Sequence, residues 1–231
     1  MTRITRRDFI RMGIGASAAL LLVRNPYRLI QGARESDWEM PREGRISFVL
    51  GEVFLNDGPA LQGDLVSLGD VIRTGQKSEA EVELRDYSII HIKENTVIEV
   101  ENILTTPALK IRKGWFLVIV RKGTPFEVFT PTVLAGVRGT VFFFYVYDDD
   151  TAYLCDCNGK IELSDVRTGE LLRQISSQYH TAFDVKREGG TVAVEKTKMR
   201  YHEDDDILRM AGRFPRETQI FKRKKEGNGG Y

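Results

Sequence analysis

Residues 125–147 read PFEVFTPTVLAGVRGTVFFFYVY, and this stretch decides the fold class. Positions 126–130 alternate between inward and outward side chains, the period of two that is typical of a half-buried strand. Positions 141–147 are apolar or aromatic throughout, which predicts a strand that is covered on both faces. We therefore expect two strands joined through a proline-containing turn, with most of the core built around them.

Arg138 is the only charged residue between Glu127 and Asp148. Gly136 and Gly139 flank it, which predicts a tight turn or a close approach of another segment. We interpret Arg138 as structural, with its guanidinium hydrogen-bonding carbonyls where the strands change direction. The alternative is a ligand contact, since arginine also binds planar carboxylates and phosphates.

The composition predicts a soluble chain with a sizeable core, since apolar residues make up 42% and charged residues 29% of its 231 positions. The net charge of +1 is unevenly distributed: residues 1–33 hold six arginines against one aspartate and so carry +5. The remainder therefore carries −4, and a mildly acidic body lacks the basic face of a nucleic-acid-binding protein. Two cysteines are too few for a disulfide scaffold.

The N-terminus has the organisation of an export signal. Arg6 and Arg7 precede an uncharged run from Met12 to Val23, as in twin-arginine signals. We expect export by the twin-arginine translocase to a periplasmic or extracytoplasmic location; the alternative is a basic amphipathic helix. The run is shorter than the ~20 residues that span a membrane. Residues 1–33 would then be a signal cleaved near Ala33 or an N-terminal membrane tether.

From Gly44 onward, short alternating segments are separated by Gly, Asn and Asp. The segment EAEVEL at 79–84 alternates so that Ala80, Val82 and Leu84 face inward. Regular spacing of this kind predicts an all-β domain, either a short-stranded sandwich or a solenoid-like fold.

The same segments carry a family resemblance. They read GD at 63–64, GDVIRTG at 69–75, SEAEVELRDYS at 78–88, LKIRKG at 109–114, FTP at 129–131, VRGT at 137–140 and NGKI at 158–161. In this order they resemble the FecR domain, over about residues 44–163. The resemblance implies an extracytoplasmic all-β module, often used in sensing or anti-sigma signalling.

Two features narrow the expected function. Only residues 1–11 precede the apolar run, so we expect no cytoplasmic sigma-binding domain and no conventional anti-sigma regulator. The sequence contains no recognisable Ser-His-Asp set, phosphate-cradling loop or HExxH motif, which argues against an enzyme. We predict an exported, non-catalytic binding or signalling module whose partner is a protein or small-molecule ligand of the cell envelope.

The alternative function is a metal- or haem-binding, or redox, accessory protein. Cys155 and Cys157 leave the same face of a strand that we expect to end in a turn at Asn158-Gly159. Cysteines this close rarely form a relaxed disulfide, whereas two thiols on one face can chelate a metal. Their C-x-C spacing differs, however, from the C-x₂₋₄-C of common zinc sites.

His180 and His202 extend this hypothesis. His180 lies at the start of a predicted strand over residues 179–185, and His202 opens an acidic segment that is expected to be helical, from which it can reach the cysteines. Thiolate and imidazole together suit a transition metal, so we predict a Cys155, Cys157, His180 and His202 cluster for zinc, iron or haem. The opposing interpretation is buried thiols and surface histidines. His91 is interpreted as an ordinary strand residue.

The C-terminal third completes the predicted organisation. Residues 44–200 form the FecR-like β domain with a C-terminal strand extension. Residues 201–213 form a short helix, with acids in its first turn and Arg209 near its end, as the helix dipole favours. Residues 214–231 are basic and then glycine-rich, which predicts a disordered tail.

Overall fold

The structure is a computed structural model that describes residues 44–84, 88–102, 106–210 and 215–228. The predicted export signal, with Arg6 and Arg7, lies outside the described residues. In the described part, no helix is long and apolar enough to cross a membrane.

The described chain consists of sixteen strands followed by two short helices. The strands are β1 Gly44–Leu50, β2 Val53–Leu55, β3 Gly58–Pro59, β4 Leu65–Val66, β5 Val71–Thr74, β6 Glu79–Leu84, β7 Ile89–Ile92, β8 Val97–Asn102, β9 Ala108–Ile119, β10 Pro125–Phe129, β11 Val133–Arg138, β12 Val141–Val146, β13 Thr151–Asp165, β14 Leu171–Ser177, β15 Thr181–Glu188 and β16 Thr191–Thr197. The helices are α1 Asp204–Met210 and α2 Gln219–Asn228. The predicted all-β class is therefore confirmed.

The strands form two sheets, and the two long strands β9 and β13 take part in both of them. The first sheet has the order β4-β1-β6-β7-β9-β12-β13-β15-β16. The second has the order β3-β2-β5-β8-β9-β10-β11-β13-β14, in which β9 and β10 are parallel. One apolar core draws side chains from both sheets, which is a sandwich rather than a solenoid.

The central strand β12 is covered on both faces, as its sequence predicts. Phe142 and Phe144 belong to the core between the sheets. Val141 and Phe143 point to the opposite, outer face of the first sheet, where they pack in a second apolar cluster with side chains of α1 and α2. The run of apolar residues thus serves two cores, and the outer one contains both cysteines.

Two other strands, β6 and β10, also show the alternating burial that their sequences predict. In β6 the residues Ala80, Val82 and Leu84 are buried, and in the β10 region Phe126 and Val128 are fully buried. Inward side chains at alternate positions are what a sandwich strand requires.

Gly139 confirms one of the two predicted glycine constraints. Its φ is +64°, and a Cβ at this position would lie 2.6 Å from the Cα of Lys122. A Cβ at Gly136, in contrast, would meet nothing within 4 Å, and Gly136 lies within β11 as an ordinary strand residue.

We therefore expect Gly139→Ala to destabilise the protein by about 2 kcal/mol or more, because a left-handed backbone and a backbone clash both oppose the methyl group. Urea unfolding measures this difference. Gly136→Ala is the matched control, with an expected change below ~1 kcal/mol. Equal losses in the two variants would contradict the argument.

Two predictions about local structure are wrong. Asn158-Gly159 does not end a strand: β13 continues to Asp165, because Gly159, with φ +144°, lets the strand pass from the first sheet to the second beside Thr140. The expected disordered tail contains α2, because Phe221 finds a fully buried position while the basic residues face solvent. The acidic first turn of α1 agrees with the prediction.

Candidate metal centre

The two cysteines project from β13 into the outer apolar cluster. Strand alternation places both thiols on the outer face, and both side chains are fully buried. A β-bulge at this point makes Phe142 pair with Asp156 and Val141 with Asn158, so that Cys157 is the extra residue. Bulges re-aim side chains, and here the two sulfur atoms lie 3.9 Å apart.

His180 reaches the cysteines from the turn between β14 and β15. Its backbone N–H donates to the Cys157 carbonyl at 3.0 Å, and its φ is +38°. This conformation brings Nδ1 to 3.6 Å from the Cys155 sulfur. The ring itself is 4% exposed, so it belongs to the buried cluster.

His202 approaches from the other side, five residues after the end of β16. Its Nε2 lies 3.2 Å from the Cys157 sulfur, and its ring stacks on Phe143 with a centroid separation of 4.5 Å. Nδ1 lies 3.0 Å from the carbonyl oxygen of Arg200. Because a carbonyl only accepts, Nδ1 carries the proton and the Nε2 lone pair faces the sulfur.

The spacing of the four donor atoms matches a tetrahedral metal site. Zinc binds sulfur at ~2.3 Å and imidazole nitrogen at ~2.0–2.1 Å, which places the ligands of a tetrahedron roughly 3.3–3.8 Å apart. The separations of 3.9, 3.6 and 3.2 Å lie in or close to this range. All four donor atoms lie within 4.8 Å of one another, so small rearrangements bring them onto one ion.

Asp204, the first residue of α1, orients His180. Its Oδ1 accepts a hydrogen bond from Nε2 at 2.8 Å, and its Oδ2 accepts one from the Tyr179 hydroxyl at 2.8 Å. Since Nε2 is the donor to Asp204, a neutral His180 directs its Nδ1 lone pair at the Cys155 side, which is the tautomer that a metal ligand at Nδ1 requires. A carboxylate behind a metal-binding imidazole is a recurrent outer-shell arrangement that fixes the ring and raises its basicity.

The electrostatics favour one thiolate without a metal. The hydrogen bond from Cys157, together with the two imidazoles, lowers the pKa of Cys155 to about 4, although burial opposes the shift. Burial raises the pKa of Cys157 well above its ordinary value. Burial lowers the pKa of His180, but Cys155 and Asp204 outweigh it and the net shift is upward. A divalent cation would stabilise the second thiolate as well.

The site is closed to solvent and lined by aromatic rings. Phe143 covers one side, and Phe221 of α2 lies 5.5 Å from the His180 ring on another. Both cysteines are fully buried and His202 is 4% exposed. Four protein ligands and no open position are the features of a structural site rather than a catalytic one.

This geometry fits a single ion better than haem. The four donors converge on one point, whereas haem iron takes four nitrogens from its own ring and accepts only axial protein ligands. Of the three predicted groups, the arrangement therefore favours zinc or a similar ion in tetrahedral coordination.

The other candidate residues lie apart from this cluster. Arg138 is exposed at the end of β11, and within the described residues its guanidinium makes no hydrogen bond, so the predicted bracing of carbonyls is not observed. His91 is fully buried between Glu79 and Glu81 and also contacts Arg209. It is thus more than an ordinary strand residue, because it joins the sheet to α1.

Sequence reasoning missed the residues that complete the site. In the sequence, Asp204 is recognisable only as an acidic residue in the first turn of a helix, and no pattern indicates that it hydrogen-bonds to His180. Phe143 and Phe221 are recognisable as apolar, but their contact with imidazole rings depends on the fold. Asp156, between the cysteines, points the other way and is fully buried, which raises its pKa to about 8.

Two solved structures are similar to this chain, and both are described as a putative anti-sigma factor from Parabacteroides distasonis ATCC 8503, at 2.50 Å and 1.65 Å resolution. Each has 19% sequence identity and a TM-score of 0.45, and the match covers 55% of this chain. The chain spans 60% of the length of those chains. No curated protein matches the sequence.

The family comparison concerns the middle of the chain. Residues 70–162 match the family described as FecR protein, which confirms the predicted resemblance over this range. Cys155 and Cys157 lie inside the matched range, and His180 and His202 lie beyond its end. The chain therefore contains a segment that matches the FecR family model, and the last strand of that segment supplies the two thiols of the candidate metal centre.

Proposed function

We propose that this protein is a non-catalytic binding or signalling module of FecR type, whose C-terminal part is held in place by a tetrahedral transition-metal centre. The FecR match over residues 70–162 supports the signalling class. The metal centre rests on one observation: the donor atoms of Cys155, Cys157, His180 and His202 lie within 4.8 Å of one another in a buried pocket.

Zinc is the metal that this arrangement suits best. Two thiolates and two imidazoles are a common ligand set of structural zinc sites. Zn²⁺ has no geometric preference of its own from its d-electrons, so it readily accepts a closed tetrahedral shell. Copper and iron share the affinity for these donors. In each imidazole, the nitrogen that does not face a sulfur atom donates a hydrogen bond to an oxygen atom, of Asp204 for His180 and of Arg200 for His202. These hydrogen bonds would orient the rings for any of the three metals.

Elemental analysis of untagged protein tests the metal centre. We expect about one equivalent of zinc in the wild type and less than about a tenth of that in Cys155→Ala, because the variant loses one of the two thiolates that bind the ion. His91→Gln is the matched control, since His91 lies outside the cluster and this variant should retain the metal. Wild-type protein without metal, even after refolding with zinc, would refute the centre.

We also propose that the protein acts outside the cytoplasm, as an exported or N-terminally tethered module with a partner in the cell envelope. The twin-arginine pattern at Arg6-Arg7 supports this location. The twin-arginine translocase carries folded proteins, so a buried metal site can be filled before export.

Cell fractionation tests the export proposal. We expect Arg6→Lys/Arg7→Lys to remain in the cytoplasmic fraction, because the translocase recognises the arginine pair rather than its charge. Arg3→Lys is the control and should be exported like the wild type. Unchanged export of the double variant would exclude this route.

A further inference from the structure

The part of the chain after β16 forms a cover on the outer face of the first sheet. We define the cover as residues 202–210 and 215–228, which include His202, α1 and α2. Three of its side chains, Ile207, Met210 and Phe221, are buried in the outer apolar cluster. Within the described residues, they are the only members of that cluster that do not come from the sheet.

The cover has little structure of its own to hold it. Its helices have seven and ten residues, and helices shorter than ~12–15 residues are marginal in water without tertiary contacts. No strand pairing joins the cover to the sheet. Its position therefore depends on its three buried side chains, on polar contacts at its rim and on the candidate metal centre.

The rim contacts are polar and partly exposed. Arg209 lies 3.2 Å from Glu79 and 2.8 Å from the buried His91 ring, and Asp206 lies 3.0 Å from Lys93. Glu217 of the cover accepts a hydrogen bond from the Lys122 backbone N–H at 3.0 Å. Lys225 pairs with Asp205, but this pair joins the two helices to each other and not to the sheet. Ion pairs of this kind contribute little individually.

An ion bound at the candidate metal centre would join the cover to the sheet through metal–ligand bonds. His202 belongs to the cover and faces Cys157 on β13, while Asp204 of the cover holds His180 at the start of β15. One ion bound by all four ligands would thus tie three separate parts of the chain together. Without it, the cover keeps at this point the 3.2 Å sulfur–imidazole contact, the stacking of His202 on Phe143, and the hydrogen bonds that Asp204 accepts from His180 and Tyr179.

The surface beneath the cover is apolar and continuous. Leu117, Val141, Phe143 and the two cysteines line it across β9, β12 and β13. Soluble proteins rarely leave a contiguous apolar face of this kind open to solvent. A change that releases the cover would therefore expose this apolar face.

We infer that the metal acts as a latch for this cover: metal bound to the four-residue cluster keeps α1 and α2 on the outer sheet face, and metal loss releases them and exposes that face. The inference rests on the proposed metal centre and adds its regulatory consequence. The sandwich itself has a separate core between its two sheets, so it stays folded when the cover opens.

Hydrogen exchange on the full chain, with its metal and after chelation, tests the latch. We expect amides of residues 204–228 to exchange at least ~10-fold faster after chelation, while those of β5–β8 keep their protection. Binding of a hydrophobic dye should rise in parallel. Metal content measured on the same samples separates the two proposals: without bound metal the centre fails, whereas bound metal with unchanged exchange of residues 204–228 refutes only the latch.

A pair of neighbouring variants sharpens the test. Asp204→Asn should weaken metal binding ~10–100-fold by removing the carboxylate behind His180, and saturating metal should restore protection of the cover. Asp205→Asn is the matched control, because Asp205 contacts Lys225 and no metal ligand. Equal effects of the two variants, or loss of protection throughout the sandwich on chelation, would overturn the latch.

Discussion

Cys157→Ala is expected to purify without metal and to unfold about 4 kcal/mol more easily than the zinc-loaded wild type, when free zinc is ~1,000 times its dissociation constant. The reason is linkage, since an ion that binds only the folded state stabilises it by its binding free energy. Cys157 is fully buried and contacts both Cys155 and His202, so its loss removes one ligand and the link to a second. Denaturant unfolding with and without a chelator measures the effect.

The chelator provides the decisive comparison. Chelation should destabilise the wild type by about the same amount and leave Cys157→Ala unchanged, because the variant has no metal to lose. Val141→Ala is the control, since Val141 packs in the same cluster without a donor atom. That variant should lose ~1–3 kcal/mol by cavity formation and keep its full sensitivity to the chelator. A wild type insensitive to chelation would contradict the metal centre.

The sequence predicts the thiol pair and not the completed site, for a physical reason. Strand alternation is local, so Cys155 and Cys157 are recognisable as same-face neighbours from their spacing alone. The distances from His180 and His202 to the thiols depend on the β14–β15 turn and on the path after β16, which are tertiary features. The residue types thus indicate a transition metal, and only the fold brings the four side chains together.

The same distinction between local pattern and tertiary structure explains why the predictions for Asn158-Gly159 and for the C-terminal tail are wrong. The pattern at 141–147 predicts a strand covered on both faces, but it cannot indicate that two C-terminal helices supply the second cover. Asn158-Gly159 has the composition of a turn, yet the two halves of β13 pair in different sheets and require a bend there rather than a reversal. Phe221 is a single apolar residue before a basic run, so composition alone favours disorder.

A second large effect is expected at a buried ion pair that joins the two sheets. Arg187 of β15 contacts both carboxylate oxygens of Asp165 at 3.1 and 3.2 Å, and it donates to the Thr132 carbonyl at 2.9 Å. The two side chains are 4% and 6% exposed. Arg187→Ala should therefore cost ~3–5 kcal/mol, because it leaves the Asp165 charge buried without its partner.

The pair also predicts a loss of stability in acid. Hydrogen bonds from Arg187 lower the pKa of Asp165. A carboxyl whose pKa is lower in the folded state stabilises the protein above its unfolded pKa of ~3.9, and this contribution is lost as the pH falls through the folded pKa. Unfolding measured between pH 7 and pH 3 should show a smaller acid loss in Arg187→Ala than in the wild type.

Double substitution separates the pair from general damage to the core. Arg187→Met/Asp165→Leu should recover most of the stability lost in Arg187→Ala, because replacing both members of a buried pair by apolar residues removes the unpaired charge. Lys186→Ala, next in sequence, removes an exposed pair with Glu188 and should change stability by less than ~1 kcal/mol. If the double variant is no more stable than Arg187→Ala, the loss arises from packing of the arginine stem across the sheets and not from its charge.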